Sequence, residues 1–387
     1  MELTGMNSST SCDNLPFELK QRAYLLYWNE QTTEFFLPNT VLLIIYLCIG
    51  IIGNLSVILV YQFRLKKKQD GRYFVAPLAW MDFIALIVTA SLNLTRNTRQ
   101  VTYPQHGTCK MLIYFSYVTT SSSLYLLAAI ALQRYLKICK PFGRQMNLWW
   151  KRLSVSLCAA IAIMLYLPVL FFYGVVEVQN PALGNVTAHK CGVLPTSLSR
   201  LKQLRIFQVF GFVGTIATVV IMTVLYSIIT VSIVKQLRKK KRVKMKSEDS
   251  SIVISDATAS TYAPKITNPT SVSTSDLDTS VVDTFSKLNV VENKPSSQRD
   301  AMKSTFRISF MFMTISIVGF LAYLPSWVFI VIETNNPFFW KRLPVAAFHV
   351  CLTLRRMYMI NHLANPFIYG VFDKVFRREI TNMFCKK

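Results

Sequence analysis

Between Cys109 and Lys140 the chain reads CKMLIYFSYVTTSSSLYLLAAIALQRYLKICK, a long and mostly apolar stretch with a basic exit. About 30 residues rising 1.5 Å each make a helix near 45 Å, enough to cross a hydrocarbon core of roughly 30 Å with both ends protruding. Arg134, in Gln133-Arg134-Tyr135, has no acid beside it. Such a charge is tolerated only at the water boundary or facing a protein interior. Ser121, Ser122 and Ser123 give the same helix a polar middle. A membrane and a surrounding bundle are therefore both required.

Composition agrees. The chain has 387 residues, of which 52% are hydrophobic and only 16% charged, too apolar for an ordinary soluble domain. Its net charge of +24 suggests nucleic acid until it is mapped. The lysines and arginines cluster mainly at 64–72, 134–152, 235–246 and 374–387, each just beyond an apolar run. That is the positive-inside pattern of a polytopic membrane protein, and it argues against nucleic-acid binding. Most of the eight cysteines fall inside apolar runs; Cys109 and Cys191 fall outside them, on one side. The N-terminal residues show no basic-then-apolar signal peptide, so the first apolar run is expected to serve for targeting.

In chain order, residues 1–36 form a polar tail with the sequon Asn7-Ser8-Ser9. Apolar runs follow at Leu37 to Phe63, Tyr73 to about Asn97 with Asp82 near its middle, the stretch from Cys109, and Leu153 to Tyr173. An outer loop then carries Cys191 and the sequon Asn185-Val186-Thr187. The fifth run spans about 203–236, the sixth Phe306 to Glu333 around Pro325, and the seventh about Leu343 to Gly370. Residues 238–300 turn Ser/Thr/Asp/Lys-rich and are expected to be a disordered inner loop, because they offer too little apolar surface to offset chain entropy. At 371–387, Phe372, Phe376, Ile380 and Phe384 recur every fourth residue, as in an amphipathic helix on the membrane surface, with Cys385 as a palmitoylation candidate. The fold expected is all-α: seven membrane helices in segments 37–237 and 301–370, plus an eighth on the inner surface, with the N-terminus outside.

Several short motifs stand in a fixed order: Gly53-Asn54, Leu78-Ala79-Trp80-Met81-Asp82, Cys109, Gln133-Arg134-Tyr135, Cys191, Tyr226, Pro325 and Asn361-His362-Leu363-Ala364-Asn365-Pro366-Phe367-Ile368-Tyr369. Together they resemble the rhodopsin-like (class A) G-protein-coupled receptors over nearly everything except 1–36 and 240–300. The sequence also departs from that pattern. The acid before the arginine is Gln133, the fifth-span proline appears as Thr218, the fourth-span tryptophan as Cys158, and Ala322-Tyr323-Leu324-Pro325 stands for Cys-Trp-x-Pro with Gly319 below.

The resemblance implies roles. Cys109 and Cys191 form a disulfide over the ligand cavity. Asp82, a costly charge at mid-membrane, is surrounded by Asn54, Ser123, Asn361 and Asn365, a set of hard oxygens suited to Na⁺ or to a plain hydrogen-bond network. Gln133, Arg134, Tyr135, Tyr226, Tyr323, Pro325, Pro366 and Tyr369 form the activation switch. With Gln133 and Thr305 where the family has acids, Arg134 is expected to be weakly restrained, giving ligand-independent signalling, unless Gln133 itself holds it.

Ser116 stands where amine receptors carry an aspartate and Met359 where opsins carry lysine, arguing against both ligand classes. Ser116, Tyr323, Arg355 and Tyr358 line the expected pocket, and Arg96, Arg99, Lys190, Arg200, Lys202, Lys341 and Arg342 make its rim basic. Arg355 either faces the cavity or pairs with Glu333. The partners implied are an extracellular ligand, most naturally a neuropeptide, a heterotrimeric G protein, arrestin at phosphorylated serines such as Ser247, Ser250 and Ser251, and membrane lipid. A small anionic or lipid ligand, and an atypical seven-helix protein without G-protein coupling, remain open. A transporter or channel would show repeated halves, and no catalytic constellation or cofactor site is visible.

Overall fold

A computed structural model describes residues 16–65, 70–181, 186–195, 197–259, 295–336 and 338–384. Asn7, Asn185 and Cys385 lie outside the described residues, as does the stretch 260–294 of the expected inner loop. Six helices are long and apolar enough to cross a membrane. They are α2 (Leu37–Ile58, continued by a π-turn at Leu59–Arg64), α3 (Val75–Thr98), α4 (His106–Cys139), α5 (Leu148–Tyr166, with the short α6, Val169–Phe172, beyond Pro168), α7 (Leu198–Ala259) and α8 (Pro295–Asn335). The seventh rod is split into α9 (Val345–Arg355) and α10 (Met359–Phe372), and α11 (Lys374–Phe384) follows.

The split corrects the single seventh span read from the sequence. At Arg356 to Tyr358 the helical ladder tightens: Met359, Ile360 and Asn361 donate to the carbonyls three residues back. The Ser326 hydroxyl on α8 donates to the Arg355 carbonyl at 2.8 Å, satisfying an acceptor at the break. Farther in, Pro366 lies inside α10 and packs so near Gly53 that a Cβ there would meet its ring at 2.9 Å. Only glycine allows that approach.

Three further features differ from expectation. The polar tail carries a helix, α1 (Phe17–Phe35), laid against the outer face. Asn29 anchors it, donating to the Thr98 carbonyl at 2.9 Å and accepting from Thr102 Oγ1 at 3.1 Å, while Phe35 rests on Phe348. The outer loop is a hairpin, β1 (Tyr173–Asn180) against β2 (Val186–Val193), with Val175 opposite Cys191. Its alternation of Val175, Glu177 and Gln179 with Val176 and Val178 was legible but too short to weigh. Finally, helix persists through Ala259 and restarts at Pro295, correcting a disordered loop that began at 238. Lys151, counted within a basic loop, is instead buried with its ammonium over the Tyr73 ring.

Two apolar clusters, with a small third around Leu43, Leu86, Ala90 and Met359, hold the rods together. The larger lies at the inner half, around Phe74, Leu127, Ile130, Phe312 and Tyr369; the smaller lies at the outer half, around Tyr103, Ile113, Tyr114 and Tyr166. Between them runs a polar seam.

Candidate functional site

Asp82 is completely buried on α3 and meets three side chains. Ser123 Oγ on α4 donates to Oδ1 at 2.7 Å, Asn365 Nδ2 on α10 donates to Oδ2 at 2.5 Å, and His362 Nδ1 lies 2.9 Å from Oδ1. Asn54 on α2 joins indirectly, donating to the His362 carbonyl at 2.8 Å. Asn361 turns toward α8 and reaches the Tyr323 hydroxyl at 3.5 Å. It can do so because Gly319 has no side chain: a Cβ there would stand 2.5 Å from Asn361 Oδ1. Of the other four residues expected at this seam, Ser123 and Asn365 bond Asp82 directly, Asn54 reaches it through the His362 backbone, and Asn361 turns to Tyr323 instead.

His362 was missed. In the sequence it read as a histidine without metal-ligand spacing; in space it is the residue that caps the carboxylate from α10. The amide oxygens of Asn54 and Asn365 near Asp82, and of Asn361 facing Gly319, are buried without a hydrogen-bond partner among the described residues. The oxygen set therefore fits a small hard cation, with His362 as competitor for Oδ1. No cluster of three His, Cys, Asp or Glu able to hold a metal occurs among the described residues.

At the inner end Arg134 is 1% exposed. Its guanidinium donates to the Gly71 carbonyl and lies 4.8 Å from the centre of the Phe312 ring on α8. Neither contact is to an acid, and neither was anticipated. Gln133 is buried beside it, and Tyr135 is partly buried under Lys140. Tyr226 on α7 accepts from Ser316 Oγ at 3.4 Å, while the Tyr369 hydroxyl is buried with no partner and its ring neighbours Tyr61 and Phe376. Of the expected switch residues, Tyr226 and Tyr369 belong to the inner apolar cluster with Phe312, against which Arg134 lies, whereas Tyr323 and Pro325 stand farther out on α8.

The loop that carries Gly71 is fixed by an ion pair the sequence did not suggest. Arg72 grips Asp373 with two bonds, 2.6 and 3.0 Å, and Tyr61 donates to the same carboxylate at 2.6 Å. Asp373 also caps α11 by accepting from Val375 N at 2.9 Å. Burial alone would raise its carboxyl, but the bonds from Arg72 and Tyr61 outweigh it and hold the group below the usual carboxylate range.

The outer cavity is cationic and aromatic. Cys109 and Cys191 are bonded, which draws the hairpin over α4. Arg355 pairs with Glu333 at 2.5 and 3.0 Å, and Trp340 donates to the same carboxylate, so Arg355 is a neutralised wall and not a free cation. Arg356, not singled out from the sequence, is the buried one; its Nη2 donates to Asn97 Oδ1 at 3.0 Å. Tyr358 accepts from Asn93 at 3.2 Å, Tyr323 closes the floor, and Ser116 is buried on α4. On the hairpin, burial and then the nearby Lys341 lower the Lys190 ammonium, which sits over Trp28 of α1.

The comparisons with known proteins fit this geometry. The thyrotropin-releasing hormone receptor of Gallus gallus is 26% identical over 129 residues, 33% of each chain. Proteinase-activated receptor 2 of Rattus norvegicus is 31% identical over 167 residues, 42% of this chain and 40% of its own. The neuropeptide Y receptor type 4 of Mus musculus is 25% identical over 122 residues, 32% of each. These matches thus span well under half the length of the curated relatives. The family profile reaches much further, from residue 53 to 369. A bundle of membrane rods around a buried aspartate, with that match across most of its length, is a member of the 7 transmembrane receptor (rhodopsin) family.

Proposed function

We propose that the protein is a plasma-membrane receptor, N-terminus outside, that passes the binding of a peptide at the outer cavity to heterotrimeric G proteins. The observation that carries this reading is a line of polar side chains carried by α10: Asn361 reaches Tyr323 on α8, while His362 and Asn365 on the same helix hold Asp82 on α3. A ligand that presses on α8 near Pro325 moves Tyr323 and pulls on that line. Separating α8 from α4 then takes Phe312 off Arg134 and leaves the guanidinium for a partner at the inner face. The printed names of two relatives, receptors for thyrotropin-releasing hormone and neuropeptide Y, support a peptide ligand.

The remaining assignments belong to the same reading. Asp82, Ser123, Asn361 and Asn365 would hold Na⁺ as a modulator. Asn7 and Asn185 carry glycans, Cys385 carries palmitate, and α11 lies on lipid. Phosphorylation within 238–300, at Ser247, Ser250 or Ser251, recruits arrestin. A lipid ligand is the second reading, favoured by a cavity of about 260 Å³ between α7 and α8 lined by Phe212, Ile216, Tyr323, Trp327 and Val331.

The test is a G-protein dissociation panel, covering each Gα class, in cells expressing the chain and its Gln133→Glu variant, with a neuropeptide library. Coupling in one class, raised by a peptide and lower at rest in Gln133→Glu, is expected. Surface-expressed protein that engages no Gα class under any peptide or lipid overturns the receptor reading.

A further inference from the structure

The donors at the outer end outnumber the acceptors. Arg96 Nε, Arg356 Nη1, Asn39 Nδ2 and the Tyr103 hydroxyl are all buried without a hydrogen-bond partner. The first three can only donate, and the fourth can. They belong to one neighbourhood. Arg356 bonds Asn97, the residue after Arg96, which bonds Asn39 at 3.1 Å, and one turn earlier on α3 Asn93 bonds Tyr358 at 3.2 Å. Among the described residues the acid facing this group is Glu333, and both its oxygens are taken by Arg355. Arg96 has a second contact, 3.9 Å to Cys191 Sγ, a weak acceptor that neutralises nothing.

The buried Arg356 guanidinium and the buried Nε of the half-buried Arg96, near a third arginine, are costly unless something brings negative charge. Tyrosines cannot, being neutral donors at physiological pH. We propose that Arg96 and Arg356 receive a carboxylate of the ligand, with aromatic surface from Tyr117 and Tyr358 beside it, and that Arg355 serves only to complete the wall. The inference rests on the outer cavity being the ligand site. It specifies the group recognised there: a free C-terminal or side-chain carboxylate, so that an amidated, uncharged peptide end is rejected.

The test uses purified full-length receptor and thermal unfolding, with no G protein present, so it stands or falls apart from coupling. The probes are N-acetyl-phenylalanine, its neutral amide, and inorganic phosphate, each at millimolar concentration. The acid is expected to raise Tm by about 2–4 °C and the amide not at all. Arg96→Gln or Arg356→Gln weakens the acid roughly tenfold or more, whereas Arg378→Gln, on the exposed face of α11, leaves it within about twofold. A second readout guards against simple misfolding: without ligand, Arg96→Gln melts above the wild type, because one uncompensated charge is gone. Equal shifts for acid and amide, no shift with the acid, a larger shift with phosphate, or a lower unliganded Tm for Arg96→Gln overturns the proposal.

Discussion

A single carboxylate at the middle of the bundle answers to three donors from two helices, and the unexpected one is an imidazole. Asp82 Oδ1 is shared by Ser123 and His362, and only Oδ2 is left to Asn365 alone. If the carboxylate also binds Na⁺, the imidazole is in the way. Replacing His362 with serine keeps a small polar group and frees one side of Oδ1. Purified receptor is therefore expected to gain little Tm from NaCl over choline chloride, and His362→Ser to gain about 2–4 °C, with Asp82→Asn showing none. A wild-type gain as large as that of the variant contradicts the competition. The sequence could name Asp82 because a charge inside an apolar run is conspicuous at any alignment of helices. It could not name His362, since a histidine there is unremarkable, and which face of α10 meets α3 depends on packing that the sequence does not show, such as Pro366 against Gly53 of α2.

At the scale of elements, the inner ends are fastened by a buried pair linking the start of α3 to the joint between α10 and α11. Arg72 and Asp373 stand far apart in sequence and sit at the edges of basic runs, where an isolated acid reads as solvated. Hence the expectation of a weakly held Arg134 overlooked its acceptor: the Gly71 carbonyl is set next to that pair. Removing one partner of a buried ion pair costs about 3–5 kcal/mol, so Asp373→Asn is expected to lower stability by that order at neutral pH. The pH dependence has a definite sign. Because the folded carboxyl is held below its unfolded value, the contribution is present at pH 5 and above and disappears as pH falls through the depressed value, below about 4. Melting curves of wild type and variant should converge only in that acid range; convergence near pH 6 would mean another group is responsible. Helix existence was legible from apolar runs, but the break at Arg356 was not, because no proline or glycine marks it.

At the scale of the whole molecule the outer face is tied by a covalent bond, a hairpin and a helix. The Cys109–Cys191 bond, the hairpin and α1 form one layer, the hairpin meeting α1 through Lys190 over Trp28, while Asn29 and Phe35 fasten α1 to α3 and α9. Reduction is expected to remove about 2–5 kcal/mol and to release that layer as a unit. In hydrogen exchange, amides of α1 and the hairpin should lose protection together while those around Asp82 keep theirs; independent loss in α1 would show that it is merely resting there. A polar tail gives no sign of this docking, because Asn29 and Trp28 gain their meaning from surfaces made elsewhere. The seventh rod has its elbow at Arg356 to Tyr358, and that elbow carries Arg356 with its Nη1 buried and without a hydrogen-bond partner among the described residues. A guest that grips Arg356 is therefore tugging on the joint itself, so recognising the guest and flexing the rod become a single event, with no relay needed between them.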